Sequence, residues 1–212
     1  MFVWLFAACQ FEEEATSGVL AIGDSIMEWN IDEEASIPEV TAQALGLEVR
    51  NASISGTQLT DGWETIPEQY VEGSWDWVIL DGGANDLNDQ CGCGDCDSVL
   101  DEISSEDGSV GVLPELVDRI SSDGHNIIVL GYYDIPEESE DFAGCDPVIV
   151  ELNLRKQQIA ESRDGVWFVS ARDVVQPDRL EMYDEDLLHP SVEGSRVIGE
   201  HIADFIQGLD AE

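Results

Sequence analysis

Basic residues are scarce in this 212-residue sequence, which has eight Lys and Arg side chains against 47 Asp and Glu and a formal net charge of −39. Such a surface repels phosphate backbones, and we therefore expect no nucleic-acid partner. It is equally unsuited to docking on an anionic membrane surface. Because the acidic residues are spread along the chain rather than gathered in one tail, they indicate a solvated acidic shell whose self-repulsion is screened by counterions.

Other features are missing as well. We find no internal repeat, no low-complexity segment and no calcium-binding loop of the form D-x-[DN]-x-[DN]-G ending in Glu. The length and the 43% content of hydrophobic residues fit one globular domain with a full core. We assign that domain to residues 18–212 and expect it to be a monomer.

The only long apolar run, MFVWLFAAC, opens the chain and is too short to span a bilayer as a helix. Small residues Ala7 and Ala8 precede Cys9, as at the end of a secretory signal. The arrangement resembles a bacterial lipoprotein box, which would make Cys9 a site of lipidation and residues 1–17 a signal-like segment. Phe6 replaces the usual Leu and no basic residue comes before the run, so a loose hydrophobic first strand is the alternative. We expect an exported protein, either secreted or a periplasmic or cell-envelope lipoprotein that meets the membrane only through this anchor.

The cysteines also bear on whether the protein is exported. There are five of them: Cys9, Cys91, Cys93, Cys96 and Cys145. If the first carries lipid, four remain, an even number suited to two disulfides in an oxidising compartment. The alternative is a zinc site with four thiolate ligands. We favour disulfides, whose pairing cannot be read from the spacing.

Short β-like runs alternate with helical ones beyond residue 17. The predicted strands are 18–25, 47–53, 75–83, 126–133 and 166–170. The predicted helices are 36–46, with Gly46 as its C-cap, 109–122, 148–163 and 191–208. This alternation predicts an α/β fold, a three-layer sandwich with a doubly wound, mostly parallel five-stranded sheet.

Polar and glycine-rich segments stand at the ends of these predicted elements. They are Gly23-Asp24-Ser25 after the first strand, Asn51 to Gly56 after the second, Gly82 to Asp86 after the third, and Asp186 to Pro190 before the last helix. Functional residues of a parallel sheet collect in the loops beyond the carboxyl ends of its strands. We therefore expect all four segments to lie along one edge of the sheet.

Together these segments hold the groups that acyl transfer to water requires. Ser25 supplies a nucleophilic hydroxyl, His189 a base, and Asp186 a carboxylate that holds the imidazole in one tautomer. Asn85 can donate an N–H to an oxyanion, and Gly56 permits close backbone approach for a second donor. No metal or other cofactor is needed for this chemistry.

The four segments resemble the sequence blocks of the SGNH (GDSL-type) hydrolases, and NASISG is most similar to the lysophospholipase/thioesterase branch of that family. The resemblance covers nearly the whole chain after residue 17. It implies a flavodoxin-like fold, an acyl-serine mechanism on small-molecule, lipid or glycan esters, and the catalytic roles named above. It also implies an oxyanion hole made by the Ser25 amide with Gly56 and Asn85. Asp24 and Asp86 would be supporting residues.

Several alternatives stay open on the sequence alone. Gly-Asp-Ser by itself is most often a turn. Asp184 or Glu185 could be the partner of His189, although the spacing favours Asp186. The enzyme could be a carbohydrate or cell-wall O-acetyl esterase rather than a general carboxylic or thioester esterase. A non-catalytic exported binding module that uses the cysteine cluster or the acidic surface is the last alternative.

Five apolar side chains near the nucleophile and the fourth strand are candidates to line or support the pocket: Ile26, Met27, Trp29, Tyr132 and Tyr133. For Met27 and Trp29 we expect ordinary core packing instead.

Overall fold

The structure is a computed structural model that describes residues 18–136, 138–139 and 141–209. The predicted segment 1–17, with the lipidation candidate Cys9, lies outside the described residues. The strands are β1 (Gly18–Ile22), β2 (Glu48–Asn51), β3 (Trp75–Leu80), β4 (Asn126–Gly131) and β5 (Val166–Ser170). The helices are α1 (Ser25–Glu28), α2 (Ile37–Leu45), α3 (Ile66–Gln69), α4 (Ala84–Cys91), α5 (Asp97–Ile103), α6 (Val112–Ser122), α7 (Asp146–Glu161) and α8 (Val192–Leu209).

All five strands are parallel and lie in the order β2-β1-β3-β4-β5. The predicted three-layer α/β fold is confirmed. The chain leaves β1 toward one side to form β2 and then returns to build the other three strands on the opposite side. The point where the direction reverses, between β1 and β3, is where ligands bind in sheets of this kind.

The sheet and its helices share one continuous apolar core. The four apolar residues of β1 that follow Gly18 have no exposed surface, as expected for a central strand covered on both faces. Helices α2 and α8 pack against each other, while α6 and α7 pack against β4. Because right-handed crossovers to opposite sides of β1 place their helices on opposite faces, these two sets form the outer layers.

Local signals explain where α2 begins and ends. Ser36 and Glu39 form a capping box at its first turn, and Pro38 lies in that turn. Gly46 ends the helix in the left-handed conformation with φ of 70°, which confirms the predicted C-cap.

The structure differs from the sequence prediction mainly between β3 and α6, where α4 and α5 were not predicted. The first three strands also end two or three residues earlier than predicted, because the polar residues beyond them belong to the loops of the site. No helix among the described residues combines the length and the apolar character needed to cross a bilayer.

Candidate active site

Three of the four predicted segments leave the carboxyl ends of β1, β2 and β3, and the fourth precedes α8. Ser25 opens α1 two residues after Gly23, and Asn85 is the second residue of α4. The loops that carry them diverge from β1 and β3, on either side of the reversal point. The residues predicted from the strand ends therefore surround one point at the edge of the sheet.

Ser25, His189 and Asp186 are joined by two hydrogen bonds. The Nε2 atom of His189 lies 2.8 Å from the Ser25 Oγ, and its Nδ1 lies 2.5 Å from the Asp186 Oδ2. The backbone amides of Leu188 and His189 each donate to the Asp186 Oδ1 at 2.9 Å. This is the connectivity of a nucleophile, a base and a carboxylate that orients the base.

Asp186 is held in its ionised form. Partial burial acts to raise the pKa of this carboxyl, but the hydrogen bonds from His189 and Leu188 outweigh burial and bring the pKa below its ordinary value. Asp184 and Glu185, the alternative partners of the base, do not contact the imidazole nitrogens; the Asp184 carboxylate accepts from the indole N–H of Trp29 instead.

The turn that presents Ser25 depends on Asp24 and Gly23. The Asp24 side chain caps α1 by accepting from the Ile26 amide at 3.0 Å, while its own amide donates to the Oδ1 of Asp81 at 3.0 Å. A Cβ atom on Gly23 would lie 1.8 Å from that same Asp81 oxygen, so only glycine fits there. Because α1 is a single turn, its helix dipole is small. The group that can stabilise negative charge here is the backbone amide of Ser25 itself.

The three predicted oxyanion donors differ in the hydrogen bonds that they already make. Among the described residues, the amides of Ser25 and Gly56 donate to no protein acceptor. Gly56 has φ of 77°, a left-handed conformation that favours glycine. The Asn85 Nδ2 donates one hydrogen to the Thr57 carbonyl at 3.0 Å, which orients the amide and leaves its second hydrogen free.

Asp86 supports the same loop from α4. Its buried carboxylate accepts from the amides of Leu59 and Thr60, both at 2.9 Å, and from the Thr60 hydroxyl at 2.7 Å. Asp86 thus ties the segment after Gly56 to the helix that carries Asn85. We infer that it fixes the spacing of two oxyanion donors.

A buried ionic group beneath the nucleophile was not predicted. It contains Lys156, which is the only lysine of the sequence and has no exposed surface, and the carboxyl groups of Asp24 and Asp81. The Tyr132 hydroxyl donates to Asp24 at 2.5 Å, and the Lys156 Nζ lies 4.0 Å from the centre of the Tyr132 ring. A lone lysine within a helix was the one sequence signal that pointed to this group.

Burial dominates the titration of these three side chains. It lowers the pKa of Lys156 to about 8, against the opposing effect of Asp81 and Asp24. Burial also raises the pKa of Asp24, and it raises that of Asp81 well above its ordinary value with a further contribution from the Asp24 charge. One carboxyl oxygen of Asp81 is buried without a hydrogen-bond partner. Asp81 is therefore the carboxyl of this group whose pKa is raised more strongly.

A narrow cleft opens beside the nucleophile, with a cavity volume of about 30 Å³. Asp24, Ser25 and Asn85 supply polar groups to its lining, and the remaining wall is mostly apolar. The apolar wall residues include Ile26, Ala84, Tyr132, Tyr133, Ile135, Phe142, Ile149 and Leu188. Of the five predicted candidates, Ile26 and both tyrosines line the cleft and Met27 packs in the core, whereas Trp29 is half-buried against His189. Core packing was the wrong expectation for Trp29.

The four cysteines of the domain form two disulfides, Cys91–Cys96 and Cys93–Cys145. They are therefore not available as zinc thiolates, and the described residues contain no cluster of His, Cys, Asp and Glu that could hold a metal ion. The second disulfide joins the end of α4 to the loop that carries Ile135 and Phe142. It thus connects the Asn85 helix to the far wall of the cleft.

Solved structures of similar fold span nearly the whole chain. A protein from Streptococcus pneumonia described as a candidate platelet activating factor has a TM-score of 0.68 at 21% identity, and the match covers 92% of this chain and 86% of that one. A G-D-S-L family protein from Desulfitobacterium hafniense has a TM-score of 0.67 at 17% identity, with 89% and 98% covered. The native aryl esterase of M. smegmatis has a TM-score of 0.65 at 17% identity, with 91% and 99% covered. At these identities the likeness shows the fold.

Comparison with curated proteins yields no match. The profile of the GDSL-like lipase/acylhydrolase family, however, matches residues 21–197. That range includes every residue of the predicted triad and oxyanion hole. Since the match covers most of the sequence, the chain belongs to the GDSL-like lipase/acylhydrolase family and is a serine hydrolase of the SGNH type.

Proposed function

We propose that this protein hydrolyses carboxylic esters with short acyl groups through an acyl intermediate on Ser25. The observation that carries the proposal is the small apolar cleft that Ser25 and Asn85 help to line, which adjoins a fully connected Ser25–His189–Asp186 triad. An apolar cavity beside a nucleophile is suited to the acyl part of an ester. The alcohol part then lies toward solvent.

In the first half of the reaction the Ser25 Oγ attacks the ester carbonyl carbon while the Nε2 of His189 accepts the hydroxyl proton. The carbonyl oxygen becomes an oxyanion, which the Ser25 and Gly56 amides and the free N–H of Asn85 stabilise. Collapse of this intermediate breaks the bond to the alcohol oxygen. That oxygen takes the proton from His189, and the alcohol leaves.

In the second half a water molecule attacks the acyl-serine carbonyl while His189 again accepts a proton. The same three donors stabilise the second oxyanion. The Ser25 oxygen then leaves with the proton from His189, which releases the carboxylic acid and restores the enzyme. The ionised Asp186 stabilises the imidazolium that forms in both halves.

The size of the cleft sets the expected acyl length. A cavity volume of about 30 Å³ corresponds to roughly two water molecules. An acetyl or propionyl group fits that space, whereas a longer chain must displace Phe142 or Ile135 at the outer wall.

The test is a series of p-nitrophenyl esters from acetate to decanoate with the full chain, beside Ser25→Ala and His189→Ala. We expect turnover that is lost in both variants and a kcat/KM that falls at least about tenfold from acetate to octanoate. Equal rates for wild type and Ser25→Ala would exclude the mechanism. A preference for decanoate would retain the mechanism and exclude the short acyl group.

An O-acetyl esterase of carbohydrates or cell-wall glycan is the second candidate, because an acetyl group fits the narrow cleft. Release of acetate from an acetylated glycan at a rate above that of p-nitrophenyl acetate would favour it. The same steps cleave a thioester, with a thiol as the leaving group. Membership in an acylhydrolase family leaves the non-catalytic binding module without support.

We also propose that the protein is exported and monomeric. Two disulfides support export, since such bonds form and persist in oxidising compartments. Fractionation of cells that express the full chain, with intact mass measurement, would show whether Cys9 carries lipid. Sedimentation at several concentrations would report the oligomeric state.

A further inference from the structure

The base of the triad has an aromatic partner on its face. The indole ring of Trp29 lies parallel to the imidazole of His189, with 3.8 Å between ring centres and 6° between ring planes. The contacts of His189 with Ser25 and Asp186 lie along the ring plane, through its two nitrogen atoms. Such bonds fix the line between the nitrogens but not the rotation of the ring about that line. The indole restricts that rotation.

Trp29 is itself held by the loop that carries the base. Its Nε1 donates to the Oδ2 of Asp184 at 2.7 Å, and the other oxygen of Asp184 accepts from the Glu185 amide at 2.8 Å. The Asp184 amide donates to the His189 carbonyl, also at 2.8 Å. Asp184 therefore links the segment after the nucleophile to the loop of the base.

The loop between Asp184 and His189 needs such a link. Leu187 has φ of 55°, in the left-handed region that is unfavourable for a leucine side chain. A strained residue of this kind persists only where surrounding contacts hold it in place. The bonds of Asp184 to Trp29 and His189 are contacts that hold the two ends of this loop.

Core packing does not account for the position of Trp29. Met27 packs in the core with no exposed surface, whereas Trp29 is half-buried against the imidazole of His189. The face of an indole ring attracts a cation within about 6 Å of its centre. His189 becomes cationic when it takes the Ser25 proton during the reaction, and the stacked ring then faces that cation.

We propose that Trp29 and Asp184 form a positioning pair for His189, in which the indole fixes the plane of the imidazole and Asp184 fixes the indole. Both residues act on the reaction only through His189. The inference rests on the triad of the proposed function but not on the identity of the ester.

The kinetic test compares the full-length wild type with Trp29→Leu, Trp29→Phe, Asp184→Ala and Asp184→Asn on p-nitrophenyl acetate. We expect Trp29→Leu to lower kcat about tenfold to a hundredfold with KM changed by less than about threefold, because the base is misoriented while the cleft is intact. Trp29→Phe keeps an aromatic face but loses the bond to Asp184, so its kcat should match that of Asp184→Ala and exceed that of Trp29→Leu. Asp184→Asn keeps an acceptor oxygen and should recover most of the activity that Asp184→Ala loses. Trp63→Leu removes a tryptophan that is 96% exposed and serves as the matched control, with unchanged kcat.

A spectroscopic test does not depend on turnover. The sequence has three histidines, so the ring protons of His189 can be assigned by comparison with His189→Ala. We expect them to lie upfield in the wild type because of the indole ring current, and to move downfield in Trp29→Leu but not in Trp63→Leu. The rate at which an alkyl fluorophosphonate labels Ser25 should fall in parallel with kcat.

Wild-type kcat in Trp29→Leu, or a His189 spectrum that the substitution leaves unchanged, would overturn the inference. So would equal losses in Trp29→Leu and Trp29→Phe, which would indicate a structural role of the indole. If the wild type hydrolyses no ester, the proposed function fails, and the proton shifts and labelling rates still decide the role of Trp29. If Trp29→Leu does not fold, Asp184→Ala and Trp29→Phe carry the same comparison.

Discussion

Replacement of Asn85 by alanine is the most direct test of how the oxyanion is stabilised. One hydrogen of its side-chain amide is fixed by the Thr57 carbonyl at 3.0 Å. Because an amide group is planar, this bond also sets the direction of the second hydrogen. Asn85→Ala removes that hydrogen and leaves the backbone amides of Ser25 and Gly56 in place.

Loss of one oxyanion donor typically lowers kcat by about 10²–10³, or about 2.7–4 kcal/mol of transition-state stabilisation. The same substitution deprives the Thr57 carbonyl of a partner, which we expect to cost about 0.5–1.5 kcal/mol of folding stability. Asn85 is only half-buried, so water can replace the lost bond. The catalytic loss should therefore exceed the loss of stability.

The assay measures kcat and KM on p-nitrophenyl acetate and the inhibition constant of a trifluoromethyl ketone, which forms a tetrahedral adduct with the nucleophile. The inhibition constant should rise in proportion to the fall in kcat/KM, with KM within about threefold of wild type. Asn85→Asp keeps the shape but replaces the donor by an acceptor, and it should be at least as damaging as alanine. Asn88→Ala, one turn along the same helix, is the control. A kcat within about threefold of wild type in Asn85→Ala would refute the assignment of this donor.

Two further predictions concern the disulfides and the buried carboxyl group. Replacement of both Cys93 and Cys145 by serine removes a disulfide that spans 52 residues, and it should lower the free energy of unfolding by about 4 kcal/mol. The same replacement of Cys91 and Cys96, which are five residues apart, should lower it by about 2 kcal/mol. Only the first pair should also raise the ratio of octanoate to acetate kcat/KM, because it releases the outer wall of the cleft; chemical denaturation and the ester series measure both. Burial raises the pKa of Asp81 well above its ordinary value, so the contribution of Asp81 to the free energy of unfolding should fall as pH rises from that ordinary value to the raised one. Asp81→Asn should flatten this fall in a series of denaturation curves, and an unchanged slope would contradict the raised pKa of Asp81.

Much of the fold follows from local patterns in the sequence. Strands β1, β3, β4 and β5 could be predicted because each contains a short apolar run. Strand β2, with the sequence Glu-Val-Arg-Asn, lies at the edge of the sheet and has a single apolar residue, so its pattern is weaker. Helices α4 and α5 could not be predicted because the local pattern of their sequences is weak. The sequence ANDLNDQC of α4 has little apolar character, and its surroundings of Gly and Cys are typical of turns. The helix is stabilised by the bonds of Asp86 to Leu59 and Thr60 and by the Cys93–Cys145 disulfide that follows it, which are contacts with distant parts of the chain.

The site also has one part that the sequence predicts and another that depends on contacts between distant residues. Ser25, Asp186 and His189 could be identified from residue types, spacing and the rule that loops meet at the carboxyl edge of a parallel sheet. The stack of Trp29 on His189 joins residues 160 positions apart, and no periodicity encodes such a contact. The charge group of Asp24, Asp81 and Lys156 depends in the same way on three separate elements that meet beneath the nucleophile.

The burial of Lys156 gives the folded domain an unusual chemical property. Since this is the only lysine in the sequence and none of its surface is exposed, the native core offers no side-chain amine to an acylating reagent. Modification of Lys156 requires the helix α7 to separate from β4. The rate of that modification can be measured by mass spectrometry of the peptide that contains Lys156. It therefore reports how often the core beneath Ser25 opens.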